Sequence, residues 1–366
     1  MLRLNVPFSG EEEIAEIRQV LESGYLTQGP KVLEFENAVR SIVGSKHAFA
    51  MSSATTALHL SLVAMGIGHG DEVLVSDFTY PASGNVIIQR GAIPVCVDVL
   101  PDTYAMDPAD LERKISPKSK AIMVVHPFGL SADMDPILAL AKAHNLKVIE
   151  DAACALGSKY KGRFCGAMGD VGCYSFHPRK SITTGEGGMI MTEDSELAQK
   201  IICLRSHGGI RKEFYLEFVE AGFNYRLSDV LAALGVAQLK RLQWLIDGKR
   251  ERAAQLRVLL AGLKGFVEPV EPADHFHTYQ SFVIVLEDQY NRDQVIAKMR
   301  AAGVETTLGT YAMHAQPSFA KRYGTKPGDL PVSNRLQNQA LTLPLYPQMT
   351  PADLELVARS LESALS

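Results

Sequence analysis

Apolar segments of strand length recur through the first half of the chain, and helical patterns separate several of them. The strand candidates are AFAM (48–51), EVLVSD (72–77), IPVCVDV (93–99), AIMVVH (121–126), KVIEDA (147–152) and VGCYSF (171–176), with ALHLSLVAMG and MDPILALAKAHN among the helical segments. A strand that is apolar at nearly every position has to be covered on both faces, and helices between successive strands provide parallel crossovers. This pattern predicts an α/β fold with a mostly parallel central sheet. At 366 residues the chain exceeds the usual size of one domain. A long helical stretch from Leu227, SDVLAALGVAQLKRLQWLIDGKRERAAQLRVLLAGL, reads as a connector with Ser228 or Asp229 as its cap. The strand candidate SFVIVLE (281–287), the helix RDQVIAKMRAAG and a closing helix from Pro351 follow it. The expected organisation is a large domain over residues 1–249 and a smaller C-terminal α+β domain over 250–366. Near the start, Ser9-x-x-Glu12 predicts a capping box for a helix that stops at Gly24.

Charge and cysteine content narrow the function. A formal net charge of −4 without basic clusters argues against nucleic-acid binding and against a polybasic membrane surface. The apolar runs are too short to span a bilayer, and the N-terminus turns acidic where a signal peptide needs an apolar core, so a cytoplasmic protein is expected. The five cysteines are odd in number and form no CxxC pair, which favours small buried hydrophobes over a disulfide framework or a zinc site.

In open α/β sheets ligands gather at the carboxyl ends of the strands. At the first such end, Ser53-Ala54-Thr55-Thr56 opens a helix. Its free amides and hydroxyls suit an anion, although serine and threonine also cap helices that bind nothing. Asp151 ends the apolar run KVIE, where a carboxylate has to be paired or reach a cleft; a structural cap for the next helix is the competing reading. Lys180 lies between a buried run and the glycine turn of SITTGEGG. It is either an amine tuned for Schiff-base chemistry or a loop lysine reaching water. Together the three segments fit pyridoxal phosphate, which needs a lysine, a carboxylate against its ring nitrogen, a phosphate cradle and a flat face for the ring. Tyr80, or else Phe78, is the candidate face, with ordinary core packing as the alternative for Tyr80.

The chain resembles the DegT/DnrJ/StrS sugar aminotransferases, fold-type I enzymes dependent on pyridoxal phosphate. The blocks that carry the resemblance are GYLTQGPKVLEFE, SSATTALHLSL, EDAACALGSKYKG, GCYSFHPRKSITTGEGGMI, GFNYRLSDVLAALGVAQL and LTLPLYPQMT. By this resemblance Lys180 is the Schiff-base lysine and Asp151 the carboxylate under the ring nitrogen. Ser175, with Ser53, Ala54 and Thr55, reaches the phosphate, while Tyr80 stacks on the ring. Asn224 matches an asparagine donated across a dimer interface, which implies a homodimer with shared active sites. Tyr311 and His314 match sugar contacts, with a core or surface histidine as the alternative for His314, and Arg226 matches an interface or diphosphate contact, with a plain ion pair as its alternative. Many relatives have glycine at Ala54, and glutamine or histidine at Cys154 near the cofactor's phenolic oxygen.

The resemblance implies a two-stage amino transfer: from an amino acid, L-glutamate being the expected donor, to a keto sugar linked to a nucleoside diphosphate. Relatives that dehydrate their substrate carry histidine in place of the lysine, and Lys180 argues against that branch. Other readings are a synthase or aminotransferase for a non-sugar or cyclitol substrate, and a catalytically silent regulator. A dinucleotide-binding oxidoreductase fails on GIGHGD (66–71), which has aspartate where the sixth-position glycine is needed and precedes its strand.

Overall fold

The computed structural model describes residues 1–366. A seven-stranded sheet forms its centre: β1 (His47–Met51), β2 (Glu72–Ser76), β3 (Ile93–Val97), β4 (Ser119–Val125), β5 (Lys147–Asp151), β6 (Val171–Ser175) and β7 (Gly188–Thr192). Their spatial order is β1-β7-β6-β5-β4-β2-β3. All pairings are parallel except those of β7, which runs against both neighbours. The six predicted strands are present to within two residues at each end. The seventh, GMIMT, was not anticipated, because its glycine lead-in reads as a turn.

Alternate residues of β4 explain its continuous apolarity. Ile122 and Val124 enter one core and Ala121 and Met123 the other, so both faces are buried. Each fully buried aliphatic side chain of this kind stabilises by about 2 kcal/mol. The chain steps outward from β2 to β3 and then returns to the other side of β2 as β4. The strand order therefore switches between β2 and β4, where a crevice opens at their carboxyl ends.

The connector is two helices, Asp229–Lys240 and Leu242–Leu260, broken at Arg241. Ser228 caps the first. Asp229 faces away and accepts from the amides of Gly29, Lys31 and Val32, so it caps the helix Pro30–Val43 instead. The first helix starts at Glu11, one residue later than Ser9 would dictate. Glu13 accepts from Gly10 N there, and Gly24 ends the helix in the left-handed region.

A four-stranded antiparallel sheet includes Phe282–Leu286 and Ala340–Leu343 and packs against the helices Arg292–Ala301 and Pro351–Leu365. Leu2 and Val6 pack into this cluster and Leu2 N bonds to Gly303 O, so the N-terminal strap is fastened to the C-terminal sheet and helices. Tyr311–Ala312 pairs with Phe78–Thr79 and stitches that unit to the end of β2. No helix is long and apolar enough to cross a membrane.

Candidate active site

Strand register assembles the site. Met51, at the end of β1, lies opposite Gly188 of β7, and Gly188 lies opposite Ser175 of β6. Three strand ends thus meet where the Ser53 turn enters the helix Ala54–Ala64. Ser53 Oγ accepts from Thr56 N, which leaves the amides of Ala54 and Thr55 for another acceptor. Gly188 presses against this turn: a Cβ there would sit 2.4 Å from Ser53 C and 2.5 Å from Ala54 N. The last glycine of TTGEGG is required by that approach. Gly185, by contrast, is needed for its φ of 81°. Ser175 is buried, and its Oγ accepts only a long 3.4 Å bond from His177 N, so its hydroxyl proton is free to donate.

Asp151 ends β5 opposite Cys173 of β6. It is 6% exposed, accepts from Ser83 Oγ at 2.7 Å and from Ala153 N at 3.2 Å, and forms no salt bridge. A buried carboxylate with two acceptor positions still open and no basic side chain on it suits a cationic ring N–H. Ser83 was missed from the sequence. It belongs to the same DFTYPAS segment as Tyr80 and shares a bond with Thr79 Oγ1, which ties that turn to the carboxylate.

Lys180 is half-buried, and its Nζ donates to Cys154 Sγ at 3.0 Å. Since Cys154 is three residues beyond Asp151, this contact brings the lysine to the Asp151 loop. Asn5 Nδ2 donates to Pro178 O at 2.9 Å and Gln280 Nε2 donates to Arg179 O at 2.6 Å, so the lysine turn hangs from the N-terminal strap and the C-terminal unit. Beneath it lies a residue no sequence signal singled out. Lys249, only 4% exposed, donates to Gln280 O at 3.0 Å, and burial, reinforced by the charge of Lys180, pushes its ammonium down to about 8.

Tyr80 is 69% exposed and meets Tyr311 edge-on at 6.3 Å, so it is a surface ring and not core. Phe78 is the core residue, packed edge-on against Tyr104 and Phe128. Asn224 is exposed, and its side chain has no partner in its own chain, while its backbone bridges to Ser206. Arg226 is not in an ion pair; it donates to Ser206 Oγ at 3.0 Å and bridges Met51 through its backbone.

The expectation that His314 contacts the sugar is corrected. Its side chain is fully buried: Nδ1 bonds to Asp77 Oδ2 at 2.6 Å, and Nε2 lies 3.3 Å from Pro327 O. Burial alone would lower its pKa, but the hydrogen bond and charge of Asp77 outweigh that and raise it. The pair locks the 313–327 loop onto the end of β2. A second buried pair, His126 with Glu150 at 2.9 Å, supports β5 from below. Glu150 also accepts from the amides of Gly166, Met168 and Gly169.

The profile of the DegT/DnrJ/EryC1/StrS aminotransferase family matches residues 7–362. The chain belongs to this family. It is 42% identical over 340 residues to the GDP-perosamine synthase of Caulobacter vibrioides, covering 92% of this chain and 91% of that protein. The spore coat polysaccharide biosynthesis protein SpsC of Bacillus subtilis is 38% identical over 367 residues, covering 97% and 94%. Among solved structures, the PLP form of the putative sugar aminotransferase Spr1654 from Streptococcus pneumoniae superposes with a TM-score of 0.93 at 26% identity, covering 99% and 97%. As a member of the DegT/DnrJ/EryC1/StrS family, the protein is an aminotransferase that uses pyridoxal phosphate. Asp151 with no basic side chain on it, the free helix-start amides and the half-buried amine fit that group.

Proposed function

We propose that this aminotransferase moves an amino group from L-glutamate to the keto group of a nucleotide-linked deoxy sugar, for amino-sugar or surface polysaccharide synthesis, as a homodimer with shared active sites. The observation that carries the reading is the exposed Tyr80–Tyr311 pair on the segment whose Ser83 holds the buried Asp151, in a chain 42% identical to a GDP-perosamine synthase. When bound, pyridoxal phosphate supplies an electron-withdrawing cationic ring. The chain's part is to hold it and to move protons. The amides of Ala54 and Thr55 and the hydroxyls of Ser53 and Ser175 take the phosphate, aided by the positive end of the helix dipole. Asp151 keeps a proton on the ring nitrogen. Tyr80 supports the ring, and Cys154 orients Lys180 Nζ.

Lys180 Nζ would take the proton from the donor's α-carbon as general base in the first stage and, in the second, deliver a proton to the sugar carbon that receives the amine as general acid. Tyr311, in edge contact with Tyr80, would meet the sugar. The support for a dimer is the exposed amide of Asn224 beside the hairpin Gly209–Phe218, where Phe214, Tyr215 and Phe218 are all exposed. A second copy would bury these side chains and receive the Asn224 amide.

The test is a pair of half-reactions. Glutamate should convert the loaded enzyme to its amino form, and a nucleotide-linked keto sugar should then return it to the starting spectrum. Return with free keto sugars or with a cyclitol ketone, but with no nucleotide-linked one, would defeat the substrate reading.

A further inference from the structure

Amino transfer makes no use of the chemistry of the Cys154 thiol, which lies 3.0 Å from the Nζ of Lys180. Cys154 is half-buried, not sealed in the core as Cys165 and Cys173 are. The other cysteines differ. Cys165 and Cys173 are buried, and desolvation pushes their thiols far up. Burial and the neighbouring Asp77 do the same to Cys96. Neither these three sulfurs nor that of the half-buried Cys203 is hydrogen-bonded to a lysine nitrogen, and Cys173 bonds to Ser61 Oγ instead. Cys154 therefore combines access with an amine already in van der Waals contact, the two requirements for a sulfur that is oxidised and then captured.

We propose that Cys154 and Lys180 form a peroxide-sensitive pair that closes a covalent sulfur–nitrogen bond whenever Lys180 is not occupied by the cofactor. In the first step the thiol sulfur attacks a peroxide oxygen. The O–O bond breaks, sulfur gives up two electrons, and Cys154 becomes a sulfenic acid with release of one water. In the second step the lone pair of Lys180 Nζ attacks that sulfur. The S–O bond breaks, the departing hydroxide takes a proton from nitrogen, and a second water leaves. The sum is one peroxide reduced to two waters and two hydrogens lost from the chain. A thiol reductant reverses it by attacking the bridging sulfur and returning the amine.

Positioning favours the bridge over further oxidation. Lys180 is held by a turn fastened at two carbonyls, by Asn5 and by Gln280, so the amine stays close to the sulfur. Lys249 is the competing nucleophile, since it is buried near enough for the charge of Lys180 to act on it. Its hydrogen bond to Gln280 O directs it elsewhere. The chemistry stands on the Cys154–Lys180 contact, while its consequence, reversible loss of cofactor binding, rests on the proposed role of Lys180.

The test treats the full chain with hydrogen peroxide, with and without bound pyridoxal phosphate, and reads intact mass and peptides. The cofactor-free chain should become lighter by two hydrogens and yield a linked peptide containing Cys154 and Lys180. Dithiothreitol should restore the original mass. The cofactor-loaded chain should yield no such link. Lys180→Arg should instead accumulate a sulfenic acid on Cys154 that dimedone traps, and Cys154→Ser should form no link. After treatment, cofactor uptake should be lost, and reduction should restore it. Oxidation of Cys154 to sulfinic or sulfonic acid with Lys180 free, a link to Lys249, or an unreacted Cys154 where Cys203 is oxidised would overturn the proposal. Failure of untreated enzyme to bind the cofactor through Lys180 would instead defeat the functional reading and leave the mass result standing.

Discussion

Ser83 Oγ donates to Asp151 Oδ2 across 2.7 Å, with both side chains buried. The same hydroxyl bonds to Thr79 Oγ1, so the carboxylate is fastened to the turn that carries Tyr80. Hydrogen bonds to charged groups contribute about 1.5 to 3 kcal/mol. Ser83→Ala is expected to lower amino transfer by roughly 10- to 100-fold and to weaken cofactor retention, with little change in the far-ultraviolet circular dichroism. Turnover and cofactor dissociation rates check this. A variant as active as the parent would show that Asp151 needs no such fastening.

Gly188→Ala forces a methyl group into the Ser53–Ala54 peptide, whose atoms lie 2.4 and 2.5 Å from the added carbon. Backbone cannot rotate away as a side chain can. Overpacking of this kind costs about 1 to 3 kcal/mol, and it acts on the turn that offers amides to the phosphate. The expected outcome is a lower melting temperature and a cofactor affinity reduced by more than tenfold. Thermal denaturation and cofactor titration measure the two effects.

Lys249 gives the cofactor-free protein a distinctive pH dependence. Its folded pKa, about 8, is depressed below the ordinary lysine value of 10.5. The unfolded chain therefore holds more protons between these values, and stability rises with pH across that window. Below about pH 8 the charged form costs on the order of 3 kcal/mol. Lys249→Met removes that cost but leaves Gln280 O without its donor, so a net gain of about 1 to 2 kcal/mol at pH 7 is expected. Denaturant unfolding at several pH values should show parent and variant converging as the pH rises from 8 towards 10.5.

The Asp77–His314 lock has the opposite sign. The folded pKa of His314 is raised above 6.5, so its contribution is fully present below the unfolded value and is lost as pH rises through the folded value. His314→Ala leaves Asp77 buried without its cation and should destabilise by about 3 to 5 kcal/mol. The gap between parent and variant should be widest in mild acid and should narrow with rising pH. An unchanged gap would mean the imidazole is held neutral.

Residues were legible from the sequence where local chemistry and local pattern coincide. The six predicted strands stand out because burial on both faces removes polar residues. Lys180 and Asp151 stand out because each is an ionisable group at the end of such a run. Ser83 and Lys249 carry no such mark: a serine in a turn and a lysine in DGKRERA look solvated, and only tertiary packing buries them. Strand β7 was hidden for a similar reason, since Gly188 is dictated by the Ser53 turn more than a hundred residues away. His314 misled because a polar residue near Tyr311 suggests the crevice, whereas Asp77 draws it inside.

The central claim is that Lys180 Nζ holds the cofactor. The direct measurement is covalent capture: the purified chain is incubated with pyridoxal phosphate, reduced with borohydride, digested and mapped by mass. The predicted result is the cofactor's mass on the peptide bearing Lys180 and nowhere else, absent from Lys180→Ala. Capture on Lys249 or on a surface lysine, or equal capture in Lys180→Ala, would contradict the account.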